Sequence, residues 1–180
     1  MNLHRISDSY GPIPYSKMGQ GVLGSPYDSQ EDVYKAFFTD LDASIKILSE
    51  FYEASPSSRP LKKYDLIYEG DYSKWIVFAN SLKLRLAMRI VYVEPELAKK
   101  YAQEAVNNAY GVMASNSDNA ELKTKLGVQV SHPLKVCWDR YGDIRMGASM
   151  ESFLKGYKDP RIEKYFYKSS TTNDHSGVRN

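Results

Sequence analysis

The sequence contains 180 residues, of which 42% are hydrophobic and 26% are charged, and its formal net charge at pH 7 is +2. This length allows one domain with a substantial core, and the small net charge excludes a general electrostatic attraction to nucleic acid or anionic membranes. The single cysteine, Cys137, excludes an internal disulfide and a cysteine-based metal site, so packing must stabilise the fold.

The first 27 residues are rich in glycine and proline, which oppose the interiors of helices and strands. They include Gly11, Pro12, Pro14, Gly19, Gly21, Gly24 and Pro26. This composition predicts an extended loop. The following DSQE, residues 28–31, is typical of a capping box, in which a short polar side chain and a later glutamate satisfy the first N–H groups of a helix.

A first helix is predicted from near Ser29 to residue 54. Apolar residues recur there at helical spacing and share one face: Val33, Tyr34, Phe37, Phe38, Leu41, Ile45, Leu48, Phe51 and Tyr52. Charged residues take the opposite side, and we interpret Asp40 and Asp42 as solvated members of that helix. The breaker cluster SPSSRP, residues 55–60, ends this element.

The stretch YEGDYSKWIVFANSLKLRLAMRI, residues 68–90, predicts a second helix over 71–92 with Asp71 as its N-cap. Lys83, Arg85 and Arg89 interrupt the apolar run, which is shorter than the ~18 apolar residues that a transmembrane helix requires. Because the helix is apolar over most of its circumference, it must be buried on more than one side.

Arg85 and Arg89 belong to a narrow polar stripe on this helix and have two interpretations. Their guanidinium groups could hold a phosphate or carboxylate ligand in a bidentate manner. Alternatively, they pair with nearby Asp or Glu while their stems cover apolar surface. The second interpretation is favoured because the helix is mostly buried.

Pro95 suits the first position of a third helix, predicted over 95–111 with small residues on its inner face and Gly111 as C-cap. The three long helices are expected to form the core. Less regular segments follow: a loop at 115–120, weak alternation at 121–130, an irregular connection at 131–143, a short helix at 146–156 with Met150, Phe153 and Leu154 inward, a helical piece at 161–167, and a polar, disordered tail at 169–180.

The predicted fold class is therefore all-α, with tetratricopeptide-like helical hairpins joined by long irregular loops. The spacing between helices does not keep the regular period of that repeat, so the repeats would be degenerate. We expect a single helical domain over residues 1–168.

The sequence contains no enzyme signature. His4, His132 and His175 are scattered and none has a second ligand at metal-binding spacing. Residues 19–24 match G-x-G-x-x-G, but no strand precedes them and no helix follows at once, so the match fails its structural context. Nothing near Cys137 would activate its thiol. We therefore expect no enzymatic activity, no cofactor and no metal.

The segment WDRY, Trp138 to Tyr141, is the best local candidate for a binding site. A sugar ring presents an apolar C–H face that packs on Trp138 or Tyr141, and its hydroxyls need polar partners such as Asp139 and Arg140. The alternative is a loop whose aromatic side chains anchor it against the helices.

Several separated segments together resemble the SusD/RagB family of outer-membrane nutrient-binding lipoproteins. They are YGPIPYSK, YDSQEDVY, DLDASIKIL, YEGDYSKWIVFANSLKLRLAMRI, YVEPELAKKYAQEAV and LKGYKDPRIEKYF. They occur in the expected order between Tyr10 and Phe166. The longest of them is the most specific.

The resemblance implies a binding protein. Members of the family are held at the cell surface by a lipidated N-terminal cysteine, cap a SusC-like TonB-dependent transporter and capture oligosaccharides or other nutrients. Their helices form the scaffold, and their ligand site is built from loops with an arc of aromatic residues. From the small net charge we expect no nucleic-acid partner.

This sequence departs from the family pattern because it shows no signal peptide, no lipobox cysteine and no long C-terminal region. We therefore expect an internal fragment or a shortened relative, soluble as given. The alternative function is a tetratricopeptide-type scaffold that binds a protein segment in a helical groove. A carbohydrate-active enzyme would need two carboxylates facing each other across a cleft, and no such pair is evident.

Overall fold

The computed structural model describes residues 3–21, 24–123 and 131–179. The chain forms two compact units, Met1–Lys125 and Leu126–Asn180. The α-helices are α1 (Leu3–Tyr10), α2 (Gln30–Ala54), α3 (Tyr72–Arg89), α4 (Pro95–Val106), α5 (Pro133–Val136), α6 (Ala148–Gly156) and α7 (Ile162–Tyr165). In these ranges the only strand-like pairings are the isolated bridges Ile13–Asp28 and Gly147–Val178, so the all-α prediction is confirmed.

The three long helices of the first unit have the predicted arrangement. Helix α3 packs against both α2 and α4, which explains why it is apolar on more than one side. The core of this interface contains the fully buried side chains of Val33, Phe38, Leu86 and Ala87. The rings of Phe38 on α2 and Tyr101 on α4 stack with their centroids 3.9 Å apart. Small residues on α4, such as Ala98, allow this close approach.

The helix boundaries differ from the predicted ones at their caps. Ser29 is the N-cap of α2, since its side chain accepts a hydrogen bond from Asp32 N. The Asp28 carboxylate instead accepts bonds from the backbone N–H groups of Tyr15 and Ser16. Helix α4 ends at Val106 and not at residue 111. At the start of α2, the bonds of Asp28 to the Tyr15–Ser16 backbone therefore replace the predicted capping contact.

The N-terminal segment contains a helix that the sequence analysis missed. Residues 3–10 form α1, which ends where Gly11 adopts a left-handed φ of 78° and donates its N–H to Ser7 O. The side chain of Gln30 also donates to Ser7 O, at 2.9 Å. The predicted extended loop therefore begins only after Gly11, because the glycines and prolines that predict it all lie at or beyond that residue.

Asp71 occupies the predicted N-cap position of α3, but its side chain does not cap the helix. Its carboxylate accepts a hydrogen bond from Ser73 Oγ and lies 3.5 Å from Arg59 in an ion pair, while no side-chain bond reaches the helix N–H groups. No helix in the part of the chain that the structure describes is both long and apolar enough to cross a bilayer.

The loop before α3 is organised around the carboxylate of Asp65. It accepts hydrogen bonds from the backbone N–H groups of Ile67, Tyr68 and Gly70 and from Trp75 Nε1, at 2.8–3.2 Å. Burial alone would raise the pKa of Asp65, but these four donors outweigh it and lower the pKa. One carboxylate therefore connects the loop to the first turn of α3.

We expect Asp65→Ala to destabilise the protein by about 2 kcal/mol, since several donors lose a charged acceptor. Urea denaturation at pH 7 would measure the loss, with exposed Asp143→Ala as a control expected to lie within about 0.5 kcal/mol of the parent. Because the folded-state pKa is lowered, the contribution of Asp65 is present above pH 3.8 and is lost as pH falls through that lowered pKa. An equal loss at pH 2 and pH 7 would contradict this account.

The second unit is built from short helices. Of the three residues predicted to face inward on α6, only Leu154 is buried, whereas Met150 and Phe153 are exposed within this unit. The predicted irregular connection is helical over α5 and over a π-helical turn, Cys137–Tyr141. The predicted weak alternation at 121–130 lies outside the described residues from residue 124 onward.

The polar C-terminal segment, residues 169–179, forms hydrogen bonds with the rest of this unit, although its composition favours disorder. Val178 N donates to Met146 O, and Gly177 N donates to the Glu151 carboxylate. His175 is buried, with Nε2 3.0 Å from Phe166 O. Backbone groups thus supply contacts that side-chain composition does not reveal.

Candidate functional site

The segment WDRY lies on the π-helical turn that continues α5. His132 caps α5 through a bond from Leu134 N to its Nδ1 atom, and Pro133 occupies the first helical position. The turn ends at Gly142, which adopts a left-handed φ of 65°. The site residues are therefore held on a helical element and not on an irregular loop.

Two aromatic side chains of this turn are accessible. Trp138 is 46% exposed and Tyr141 is 66% exposed. Within this unit, each of the two rings therefore leaves part of its surface uncovered.

Trp138 has an aromatic neighbour that the sequence analysis did not identify. The ring of Tyr167 lies 5.4 Å from that of Trp138, centroid to centroid, with 30° between the planes, and Tyr167 is 82% exposed. Tyr167 follows α7 in a segment with no local motif, so only the tertiary structure brings it to Trp138. Two neighbouring rings at a small angle offer a broader apolar surface to a sugar than one ring does.

The polar members of the predicted site have different environments. The Asp139 carboxylate accepts a hydrogen bond from Lys135 Nζ at 2.9 Å, one helical turn away. This bond and the negative charge of Asp139 raise the pKa of Lys135. Arg140 is exposed. The site can therefore offer a charged pair and a guanidinium beside its aromatic rings.

A second pair of exposed rings occurs in the same unit, on α6. Phe153 and Tyr157 are nearly parallel, with 9° between their planes and 6.2 Å between their centroids. The same helix also carries an ion pair, in which Lys155 Nζ lies 2.9 Å from the Glu151 carboxylate. The two rings serve below as a control surface.

Of the two arginines in the polar stripe of α3, Arg89 is already paired with a carboxylate. Arg89 Nε lies 2.7 Å from Asp8 Oδ2, and Asp8 Oδ1 accepts a hydrogen bond from Tyr34 Oη at 2.5 Å. For Arg89, the favoured interpretation of pairing with a nearby carboxylate is confirmed. Arg85 is exposed on the same helix.

Comparisons with known proteins place the whole chain in one family. A family model described as "Susd and RagB outer membrane lipoprotein" matches residues 1–180. No curated protein gives a significant match.

Solved structures give the same result. A chitin-binding SusD homologue from Flavobacterium johnsoniae superimposes with a TM-score of 0.89 at 41% identity, over 98% of this chain and 36% of that one. A SusD homologue from Bacteroides uniformis gives 0.84 at 41% identity, over 98% and 36%. Another, from Bacteroides vulgatus, gives 0.84 at 38% identity, over 99% and 35%. The chain thus spans about a third of the length of these relatives.

Proposed function

The chain belongs to the SusD-like family, and on that premise we propose that it forms part of a non-catalytic glycan-binding protein at the outer membrane surface. The observation that carries the proposal is the exposed ring pair of Trp138 and Tyr167, with the Lys135–Asp139 pair beside Trp138. Aromatic rings next to hydrogen-bonding groups are what a sugar ring requires, since it has an apolar face and a polar edge.

The similarity to a chitin-binding homologue supports a first choice of glycan. We propose chitin oligosaccharides as the first ligands to test. Their N-acetyl groups and hydroxyls can accept and donate hydrogen bonds, which Asp139 and Arg140 complement. In this proposal Tyr141 extends the aromatic surface.

The proposed partner is a SusC-like TonB-dependent transporter, to which the protein delivers its glycan. The proposed attachment to the membrane is a lipid anchor on the full-length protein. Both proposals rest on membership of a family of outer membrane lipoproteins. Copurification of the full-length protein with the transporter from detergent-solubilised outer membranes would test the first of them.

Tryptophan fluorescence offers a direct test of glycan binding, because the sequence has 2 Trp residues in different environments. Trp75 donates its indole N–H to Asp65 and packs edge-on against Tyr68 and Phe78, whereas Trp138 is exposed. We expect chitin oligosaccharides to change the emission of Trp138 in a saturable manner, since ring stacking removes water from its face.

The variant Trp75→Phe isolates this signal, and it should retain the full saturable response. Cellobiose and bovine serum albumin peptides serve as comparison ligands for sugar and peptide binding, respectively. Recovery of the oligosaccharide unchanged after incubation would agree with a binding role. A saturable response to peptides but not to chitin oligosaccharides would favour the scaffold function and reject the glycan proposal.

A further inference from the structure

A pocket of about 430 Å³ opens on the first unit between α1, α2 and the turn that joins α3 to α4. Its volume lies within the range of small-molecule binding sites, which is roughly 300–1,000 Å³. The pocket is lined by residues of the first unit alone, and Trp138 is not among them. It therefore requires an explanation separate from the proposed glycan site.

The inner part of the pocket is apolar and aromatic. Phe38 and Ile90 come from the buried core, and Leu97 adds an aliphatic side chain from α4. Tyr34 contributes a second ring, whose hydroxyl is fixed by its bond to Asp8. An apolar stem that enters this pocket would thus be removed from water against side chains that are already held in place.

The mouth of the pocket carries three carboxylates and two cations. Arg89 is paired with Asp8, and Lys35 is paired with Glu31. Both cations therefore already have a carboxylate partner within the pocket wall. The third carboxylate, Glu94, gives the mouth an excess of one negative charge.

The side chain of Glu94 has no capping role in the helix that follows it, although its backbone carbonyl accepts a hydrogen bond from Ala98 N and its charge also acts on Lys35. Glu94 occupies the N-cap position of α4, but its side chain forms no capping bond to the helix N–H groups. The residue is also exposed. Its carboxylate can therefore interact with a ligand without loss of a helix cap.

We propose that this pocket binds a primary ammonium group carried on an apolar stem. The stem packs against Val93 and Leu97, and the ammonium group pairs with the carboxylate of Glu94 at the mouth. An anionic ligand would have to displace Asp8 or Glu31 from its cation. The same chemistry is offered by a free alkylamine and by a lysine side chain of a partner protein.

Pentylamine, pentanol and pentanoate test the proposal, because they share a stem and differ in their charge. Titration into the ¹³C-methyl-labelled protein at low salt should give saturable shifts of the Ile90, Val93 and Leu97 methyl signals with pentylamine, with a Kd of about 1 mM. Pentanol should bind about fivefold more weakly, since it lacks the charge pair. Pentanoate should bind more weakly than pentanol.

Glu94→Gln should weaken pentylamine binding about fivefold and leave pentanol binding unchanged. Glu96→Gln is the matched control, because Glu96 is exposed on the same helix and does not line the pocket. An acetylated, amidated Ala-Lys-Ala peptide distinguishes the two sources of the ammonium group. If the peptide binds as tightly as pentylamine, the ligand is a lysine side chain of a partner protein. If the peptide does not bind, the ligand is a free amine. Equal binding of the three pentyl compounds, or an unchanged Kd in Glu94→Gln, would overturn the proposal.

Discussion

Replacing Lys83 by alanine is expected to destabilise the protein by about 3 kcal/mol, more than any other single charge removal in the first unit. The Lys83 side chain is only 6% exposed, and its Nζ lies 2.6 Å from Asp42 on α2 and 2.6 Å from Glu104 on α4. It also lies 5.1 Å from the ring centroid of Tyr101. One cation on α3 therefore connects both neighbouring helices.

The size of this effect follows from the unequal burial of the three charges. Removal of Lys83 leaves Asp42 without its cation, leaves Glu104 with only Lys100 at 4.0 Å, and leaves a cavity where the Lys83 stem was. Asp42 and Glu104 remain 45% and 41% exposed, so water can solvate them, and the expected loss is at the lower end of the range for buried ion pairs. Urea denaturation at pH 7 would measure it.

Two variants separate the charge from the stem. Lys83→Met keeps the apolar stem and should destabilise the protein less than Lys83→Ala, whereas Lys35→Ala, which removes an exposed pair with Glu31, should have a much smaller effect than Lys83→Ala. A loss in Lys83→Ala no larger than that in Lys35→Ala would contradict the assignment.

The ion cluster also predicts the sign of a pH dependence. Burial would lower the pKa of Lys83, but the bonds to Asp42 and Glu104 outweigh it and raise the pKa. For a cation with a raised folded-state pKa, the stabilisation is present below pH 10.5 and is lost as pH rises through that raised pKa. The stability difference between parent and Lys83→Met should therefore shrink at alkaline pH.

The burial of α3 could be predicted from the sequence, but its ion cluster could not. Periodicity shows that α3 is apolar around most of its circumference, and the structure places it between α2 and α4. The same reasoning placed Asp40 and Asp42 on a solvated side, and both are exposed. It did not identify their partners: Asp42 pairs with Lys83, and Asp40 accepts a hydrogen bond from Tyr15 Oη. Ion pairs and hydrogen bonds between residues far apart in the sequence have no periodic spacing, so a helical pattern does not reveal them.

The aromatic surface shows the same limit of local patterns. Trp138 and Tyr141 can be selected because both aromatic rings and polar side chains occur within four residues. Tyr167 cannot, since its contact with Trp138 depends on how the second unit folds. The prediction that Phe153 faces inward is wrong for a related reason. A short helix has few apolar residues, and its sequence alone does not determine which of them a small core will cover.

Replacing Trp138 by alanine is expected to weaken binding of chitin oligosaccharides roughly tenfold or more, as for other exposed aromatic residues at the centre of a binding surface. The change removes the larger ring of the pair and leaves Tyr167 as a single narrow surface. Because Trp138 is half exposed, the same change should have little effect on the melting temperature. Isothermal titration calorimetry of parent and variant would measure the affinity.

The matched control is Tyr157→Ala, which removes an exposed ring of the second aromatic pair in the same unit. It should leave the affinity for chitin oligosaccharides unchanged, while Trp138→Phe should retain part of it because a ring face remains. If a folded Trp138→Ala protein bound as tightly as the parent, the site assignment would be wrong even if the family's glycan-binding role were correct. If Tyr157→Ala weakened binding instead, the ligand surface would lie on α6, and the rings of Phe153 and Tyr157 would be the ones that face the sugar.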